Sequence, residues 1–219
     1  MKIINFAESN SILNQYVAEL RDVTVQNDRM RFRRNIERIG ELMAYEMSKT
    51  MEYSIKDIQT PLGVAQASTP DDKLVIATVF RAGLPLHAGF LNVFDKAGNA
   101  FVSAYRYYKD KDHRDLDVRI EYIATPDLTD KTVLLVDPML ATGESLELAW
   151  KAFLTKGTPA KLMIACVIAS KVGVERLKKL FPSDDVTLWC GVIDPGIDEH
   201  SYIVPGLGDA GDLAYGEKI

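Results

Sequence analysis

The sequence predicts an α/β protein: a mostly parallel sheet flanked by helices, with a β-arm or flap and an ordered C-terminal loop. Three observations carry that prediction. Apolar β-forming runs recur at residues 75–80, 133–136, 161–169 and 186–193. Amphipathic helix patterns fall between them, the alternation expected of a parallel sheet. The 219 residues, 47% hydrophobic and 26% charged, suffice for one substantial core over residues 1–219.

The elements follow in order. Residues 9–22 and 28–49 read as helices packed on that core. The second carries Phe32, Ile36, Ile39, Met43 and Met47 at helical spacing. Arg29, Arg31, Arg33, Arg34 and Arg38 interleave with them, as a solvated face or as a surface for an anionic effector or partner subunit. A strand at 75–80 runs into Arg81-Ala82-Gly83 and a helix through Phe90. Another strand at 101–108 ends in Tyr105-Arg106-Tyr107-Tyr108. Residues 114–123 alternate, with Leu116, Val118, Ile120 and Tyr122 on one side, so residues 108–122 are expected to form a flap. The run at 133–136 suits a strand buried on both faces, closed by Pro138, which has no N–H for a ladder. Leu146, Ala149, Trp150, Phe153 and Leu154 then mark a helix, stopped by Gly157 and Pro159. A helix at 171–181 separates the last two strands. The tail at 194–216, rich in Gly, Asp and Pro, is expected to be an ordered loop over the ligand crevice.

Several function classes are disfavoured. No apolar run approaches membrane-spanning length, and the N-terminus lacks a signal-peptide apolar core, so a cytoplasmic location is expected. A formal charge of -5 argues against coating nucleic acid. Cys166 and Cys190 read as buried thiols, and His87, His113 and His200 lack metal-ligand spacing. No protein-only metal site is expected.

Chemistry concentrates at residues 133–145. A strand, a short turn and a helix start follow one another there, the junction at which α/β proteins bind phosphorylated ligands. The first turn of a helix offers unpaired N–H groups and a positive dipole end. Thr142 and Ser145 add hydroxyls, and Gly143 lets the backbone approach closely. Asp137, ending the strand, suits a pair of ribose hydroxyls. Together these describe a ribose 5-phosphate site. An ordinary βα turn capped by Thr142 is the alternative reading of the same spacing. It is not a Walker loop, for which the required glycine-lysine pattern is missing.

The run Asp137-Pro138-Met139-Leu140-Ala141-Thr142-Gly143-Glu144-Ser145 resembles the phosphoribosyl-pyrophosphate (PRPP) loop of the uracil phosphoribosyltransferases. Arg81-Ala82-Gly83-Leu84 resembles that family's pyrophosphate loop. Residues 202–212, Tyr-Ile-Val-Pro-Gly-Leu-Gly-Asp-Ala-Gly-Asp, resemble its uracil-binding segment closely. A weaker likeness spans nearly the whole chain, including Thr60-Pro61-Leu62.

The resemblance implies a pentosyltransferase of pyrimidine salvage: uracil plus PRPP gives uridine 5′-monophosphate (UMP) and pyrophosphate. It assigns PRPP to Arg81, Arg106, Asp209 and residues 137–145, and uracil to Ile203, Gly208, Asp209 and Ala210. Asp137, Arg81 and Asp209 are the candidate catalytic residues. It further implies Mg2+ bound with PRPP, a homodimer or larger homo-oligomer, and GTP as a candidate effector. Two departures stand out: Tyr107-Tyr108-Lys109-Asp110 replaces the family's Asn-Glu after the arginine, and Glu144 stands where glycine is usual. They motivate an alternative, a regulatory protein of the same fold that binds PRPP or nucleotide without turnover.

Overall fold

The computed structural model describes residues 1–71, 73–108 and 116–217, with the side chains of residues 104–120 outside that description. The N-terminal part holds β1 (Lys2–Asn5), α1 (Ile12–Arg21) and α2 (Arg29–Ser48). Both helices start on caps: Ser11 accepts from the Leu13 N–H, and Asp28 from the Arg31 N–H. A hairpin of β2 (Tyr53–Thr60) and β3 (Gly63–Pro70) follows. It forms a separate antiparallel pair that joins no other strand.

The α/β core begins with β4 (Leu74–Val79), α3 (Leu84–Val93), β5 (Gly98–Tyr108) and β6 (Leu116–Ala124). Then come β7 (Thr132–Val136), β8 (Met139–Leu140), α4 (Glu144–Phe153), β9 (Lys161–Ser170), α5 (Lys171–Leu180) and β10 (Val186–Asp194). The C-terminal part holds β11 (Gly196–Ile197), β12 (Ile203–Val204) and α6 (Ala210–Tyr215).

The main sheet runs β1-β10-β9-β7-β4-β5-β6, with β8 added to β9. Every neighbouring pair is parallel except β5 and β6. Alternate residues of each central strand face opposite ways. Ile76, Leu134 and Val136 lie in one apolar cluster with residues of α1, α2, α3 and α6. Val75, Ala77, Val133 and Leu135 lie in another with residues of α4 and α5. Each fully buried Leu or Ile there contributes roughly 1.5–3 kcal/mol of transfer free energy, so the two-faced burial dominates the fold's stability.

The predicted strands and helices are present, with three corrections. The strand before Pro138 does end, yet Met139 and Leu140 resume pairing with β9. The Pro138 carbonyl accepts from both the Val167 and Ile168 N–H groups, so the break costs no unpaired donor on β9. The tail is not one loop: β11 and β12 pair in it, and Asp209 caps α6 through its side chain. The β2–β3 hairpin was not expected; its burial is slight on both faces, so it carries no amphipathic period. The arginines of α2 keep the expected solvated face at Arg29, Arg31 and Arg34, which are exposed, while several also make specific contacts. Arg31 makes a two-point contact with Glu19 at 2.9 and 2.8 Å, which with Asn35 draws Glu19 down to about 2. Arg33 donates to the Ala214 carbonyl at 2.7 Å, and Arg34 pairs with Glu37 at 2.6 Å.

The expected flap at 108–122 lies largely outside the described residues. Of it the structure gives the antiparallel pairing of β5 with β6, which includes Tyr108 opposite Leu116.

Candidate active site

Four parallel strands aim their C-terminal ends at one edge of the sheet. Arg81 follows β4, Asp137 follows β7, the α5 turn follows β9, and the tail follows β10. β4 and β7 are neighbours, with Thr78 opposite Val136. The chain leaves β4 toward β5 on one side and β7 toward β9 on the other. That divergence opens a crevice at the strand ends, where open α/β sheets take ligands. A cleft of about 900 Å³ at the opposite edge is lined by Lys2, Thr132, Lys161 and Thr187, and no candidate site residue lines it.

The turn after β7 is locally determined. The Asp137 N–H extends the ladder to the Ala165 carbonyl, and its Oδ1 accepts from the Met139 N–H at 3.2 Å. The carboxyl is half-buried, and loss of water pushes its pKa up to about 7 against the lowering effect of that hydrogen bond. The helix start expected at Thr142 or a neighbour falls at the neighbour: Gly143 is the N-cap, at φ +80°, with no side-chain cap bond. A left-handed φ suits glycine and strains other residues. The Thr142 hydroxyl instead accepts weakly from the Glu144 N–H at 3.4 Å. The Glu144 carboxylate pairs with Arg176 at 2.9 Å, across to α5. Ser145 is exposed in the first turn of α4.

The turn after β4 lies beside it. A Cβ on Gly83 would come within 3.2 Å of the Val136 carbonyl oxygen, so glycine lets α3 start against the end of β7. The Phe80–Arg81 peptide is cis. Arg81 reaches the C-terminal segment: Nη2 pairs with Asp212 at 2.9 Å and Nη1 donates to the Gly216 carbonyl at 3.3 Å. Its Nε is buried with no acceptor among the described residues. A buried orphan donor on a cation, at a strand end, suits an anionic oxygen. Arg106 lies in β5, and its side chain is outside the described residues, as are His113, Lys109 and Asp110.

The C-terminal segment is held from afar. Asp194, buried at 4% exposure, pairs with Arg21 at 2.8 Å and accepts from the Gly206 N–H at 2.9 Å. Ile203, Leu207 and Ala210 are buried in one cluster with Val136, against Ala82, Met139 and Ala141. Apolar residues of the C-terminal segment and of the turns after β4 and β7 therefore share one core. Gly206 and Gly208 take left-handed φ values of +55° and +92°, and Gly208 is exposed. Asp209 is half-buried; its Oδ1 accepts from the Asp212 N–H at 2.9 Å.

His87 is a packing residue. Asn99 Nδ2 donates to the Ala97 carbonyl, which turns its Oδ1 to His87 Nε2 at 2.7 Å. His87 Nδ1 then accepts from the Thr78 hydroxyl at 2.6 Å, and burial lowers the ring's pKa, keeping it neutral. Cys166 and Cys190 are buried free thiols on adjacent strands, both pushed up, Cys190 to about 12, by burial. Among the described residues no cluster of three His, Cys, Asp or Glu side chains could hold a metal.

Sequence reasoning missed Arg21, Asp194, Asp212 and Arg176. Asp212 had a signal, the Asp-x-x-Asp spacing of a capped helix start after Asp209. The others act through partners far off in sequence and left none.

Comparisons with known proteins agree with this geometry. A family model described as uracil phosphoribosyltransferase matches residues 7–217. The chain is 60% identical over 219 residues to a uracil phosphoribosyltransferase of Porphyromonas gingivalis strain W83, covering 100% of both. It is 38% identical over 215 residues to one from Methanococcus maripaludis, covering 97% of this chain and 89% of that one. A solved structure of an Aquifex aeolicus protein superposes with a TM-score of 0.86 at 28% identity, covering 99% of each chain. An orotate phosphoribosyltransferase of Mycobacterium tuberculosis shares the fold, with a TM-score of 0.51 at 14% identity over 85% of this chain and 92% of that one.

Proposed function

The chain belongs to the uracil phosphoribosyltransferase family, and from that premise we propose how its own residues carry out the reaction. The protein is a pentosyltransferase that makes UMP and pyrophosphate from uracil and PRPP. N1 of uracil attacks the ribose carbon, the bond from that carbon to the pyrophosphate oxygen breaks, and the N1 proton leaves.

In this proposal the 5′-phosphate sits on the turn at residues 137–145, against the Thr142 and Ser145 hydroxyls and the N–H groups of Gly143 and Glu144. The Asp137 carboxylate accepts from the two ribose hydroxyls. Arg81 and Arg106 take the pyrophosphate. Uracil lies against Ile203, Gly208, Asp209 and Ala210, where backbone groups meet its two carbonyls and the N–H between them. Cytosine would reverse two of those polarities and leave buried groups unpaired. Asp209 receives the N1 proton through water. Positioning and fixed charge lower the barrier, and no covalent intermediate on the protein is required. The observation that carries the assignment is Arg81: it follows the strand beside Asp137 and is paired with Asp212 of the base segment.

Mg2+ fits as a cation carried by the substrate. Such an ion takes one or two carboxylates plus phosphate oxygens and water. Asp209, half-buried with one oxygen engaged in capping α6, would hold it, and when bound it would neutralise charge on the leaving pyrophosphate. The family resemblance supports a homo-oligomer, a GTP effector and a cytoplasmic location as further parts of the proposal. Among the described residues no helix is long and apolar enough to cross a membrane.

The test is a UMP-forming assay with uracil, PRPP and Mg2+, run beside Asp137→Asn and Arg81→Ala. Wild-type turnover with at least a hundredfold loss in both variants is expected. Robust turnover by both variants would refute the site assignment.

A further inference from the structure

The geometry points to Arg176 as a positioning residue for the 5′-phosphate, acting by holding the Glu144 carboxylate off the phosphate turn. This rests on the phosphate reading of residues 142–145. Glu144 is the first residue of α4. The N–H groups and positive dipole end that suit a phosphate also attract this carboxylate. Unrestrained, it is both an intramolecular competitor for those donors and a like charge beside the ligand.

Arg176 comes from α5, across the turn. Its Nη1 donates to Glu144 Oε1 at 2.9 Å, and its Nε donates to Glu147 Oε2 at 2.9 Å. Glu147 lies one helical turn beyond Gly143 and also pairs with Lys151 at 2.7 Å. One guanidinium is thereby fixed at two points, one anchoring it on α4 and one drawing Glu144 aside. The arginine stem passes behind the turn, its Cδ 3.3 Å from where a Cβ on Gly143 would stand. The left-handed glycine thus makes the turn and leaves room for the side chain that controls its neighbour. Arg176 and Glu144 side chains are 40% and 30% exposed, and pairs of that exposure add little to stability. The arrangement therefore matters for where the carboxylate lies more than for how firmly the helices pack.

The experiment compares Arg176→Gln, Arg176→Gln with Glu144→Gln, and Thr142→Val, reading KM for PRPP, KM for uracil, kcat, and the Kd of UMP by calorimetry. Arg176→Gln is expected to raise KM for PRPP and Kd of UMP about tenfold, with kcat and KM for uracil within twofold. Adding Glu144→Gln is expected to return both to within about threefold of wild type, a rescue that loss of a structural contact would not show. The inference is overturned if Arg176→Gln leaves KM for PRPP within twofold, or if its defect persists after Glu144→Gln. Thr142→Val separates the two failures. If it weakens PRPP while Arg176→Gln does not, the phosphate reading stands and the role of Arg176 falls. If neither variant weakens PRPP or UMP, the phosphate reading itself fails.

Discussion

The proposed phosphate end and the proposed base end of the crevice are held by different parts of the chain. At the phosphate end one continuous stretch, β7 through α4, supplies strand, turn and helix start, held by its neighbours β9 and α5, among them Ser170 on the Ala141 carbonyl and Arg176 on Glu144. At the base end local turns are tied down by side chains from far away in the sequence: Arg21 to Asp194 spans 173 residues, Arg33 to the Ala214 carbonyl 181, and Arg81 to Asp212 131. The difference assigns separate work to separate parts of the chain. In the proposed reading, the α/β core fixes where the sugar phosphate would sit, and the N-terminal helices help to fix the segment that would read the base.

Variants can break this division, beginning with the largest effect. Arg21→Met leaves Asp194 buried beside the Gly206 N–H without its cation. Breaking a buried pair from one side costs roughly 3–5 kcal/mol, and the part exposure of Arg21 places this one near about 3. Urea unfolding is expected to show that loss, and KM for uracil to rise at least tenfold at temperatures where the variant is folded.

Asp137→Asn tests the other end twice. It is expected to lower kcat/KM for PRPP about a hundredfold, roughly 2.7 kcal/mol of transition-state binding. It is also expected to stabilise the fold at high pH. The folded carboxyl titrates near about 7 against an ordinary value of 3.8. The stability it allows is complete below pH 3.8 and is lost as pH rises through about 7, because only the unfolded chain ionises freely in between. Asp137→Asn is therefore expected to gain on wild type by up to about 4 kcal/mol between pH 4 and pH 8 in urea unfolding, with the gap closing toward pH 4. In the wild type, kcat/KM for PRPP is expected to fall as pH drops below about 7, since the ribose hydroxyls need the ionised acceptor.

Smaller effects sharpen the comparison. Arg33→Met removes the donor to the Ala214 carbonyl and the guanidinium 5.9 Å from the Tyr215 ring centre. About 1 kcal/mol of stability and a two- to fourfold rise in KM for uracil are expected, with KM for PRPP unchanged.

The same contrast explains what the sequence could announce. The phosphate end is a local motif, so apolar run, Pro138, Gly143 and the helical stripe at 146–154 each leave a signal at its own position. The resemblance of residues 202–212 marked the base segment but not its shape: α6 has six residues, too few for a helical period, and β11 and β12 have two each. The ties from Arg21 and Arg33 were invisible because a helix arginine that reaches a distant carbonyl has the same spacing as one in water. Glu144 was legible as a charge in the wrong place, but its partner Arg176 lies 32 residues on, in another helix.

The most direct test of this division is a crossed pair of Michaelis constants for Arg21→Met and Thr142→Val, measured for both substrates in folded protein. Arg21→Met is expected to raise KM for uracil at least tenfold with KM for PRPP within twofold, and Thr142→Val to do the reverse. A parallel rise of both constants in both variants would show that the two ends are not held separately.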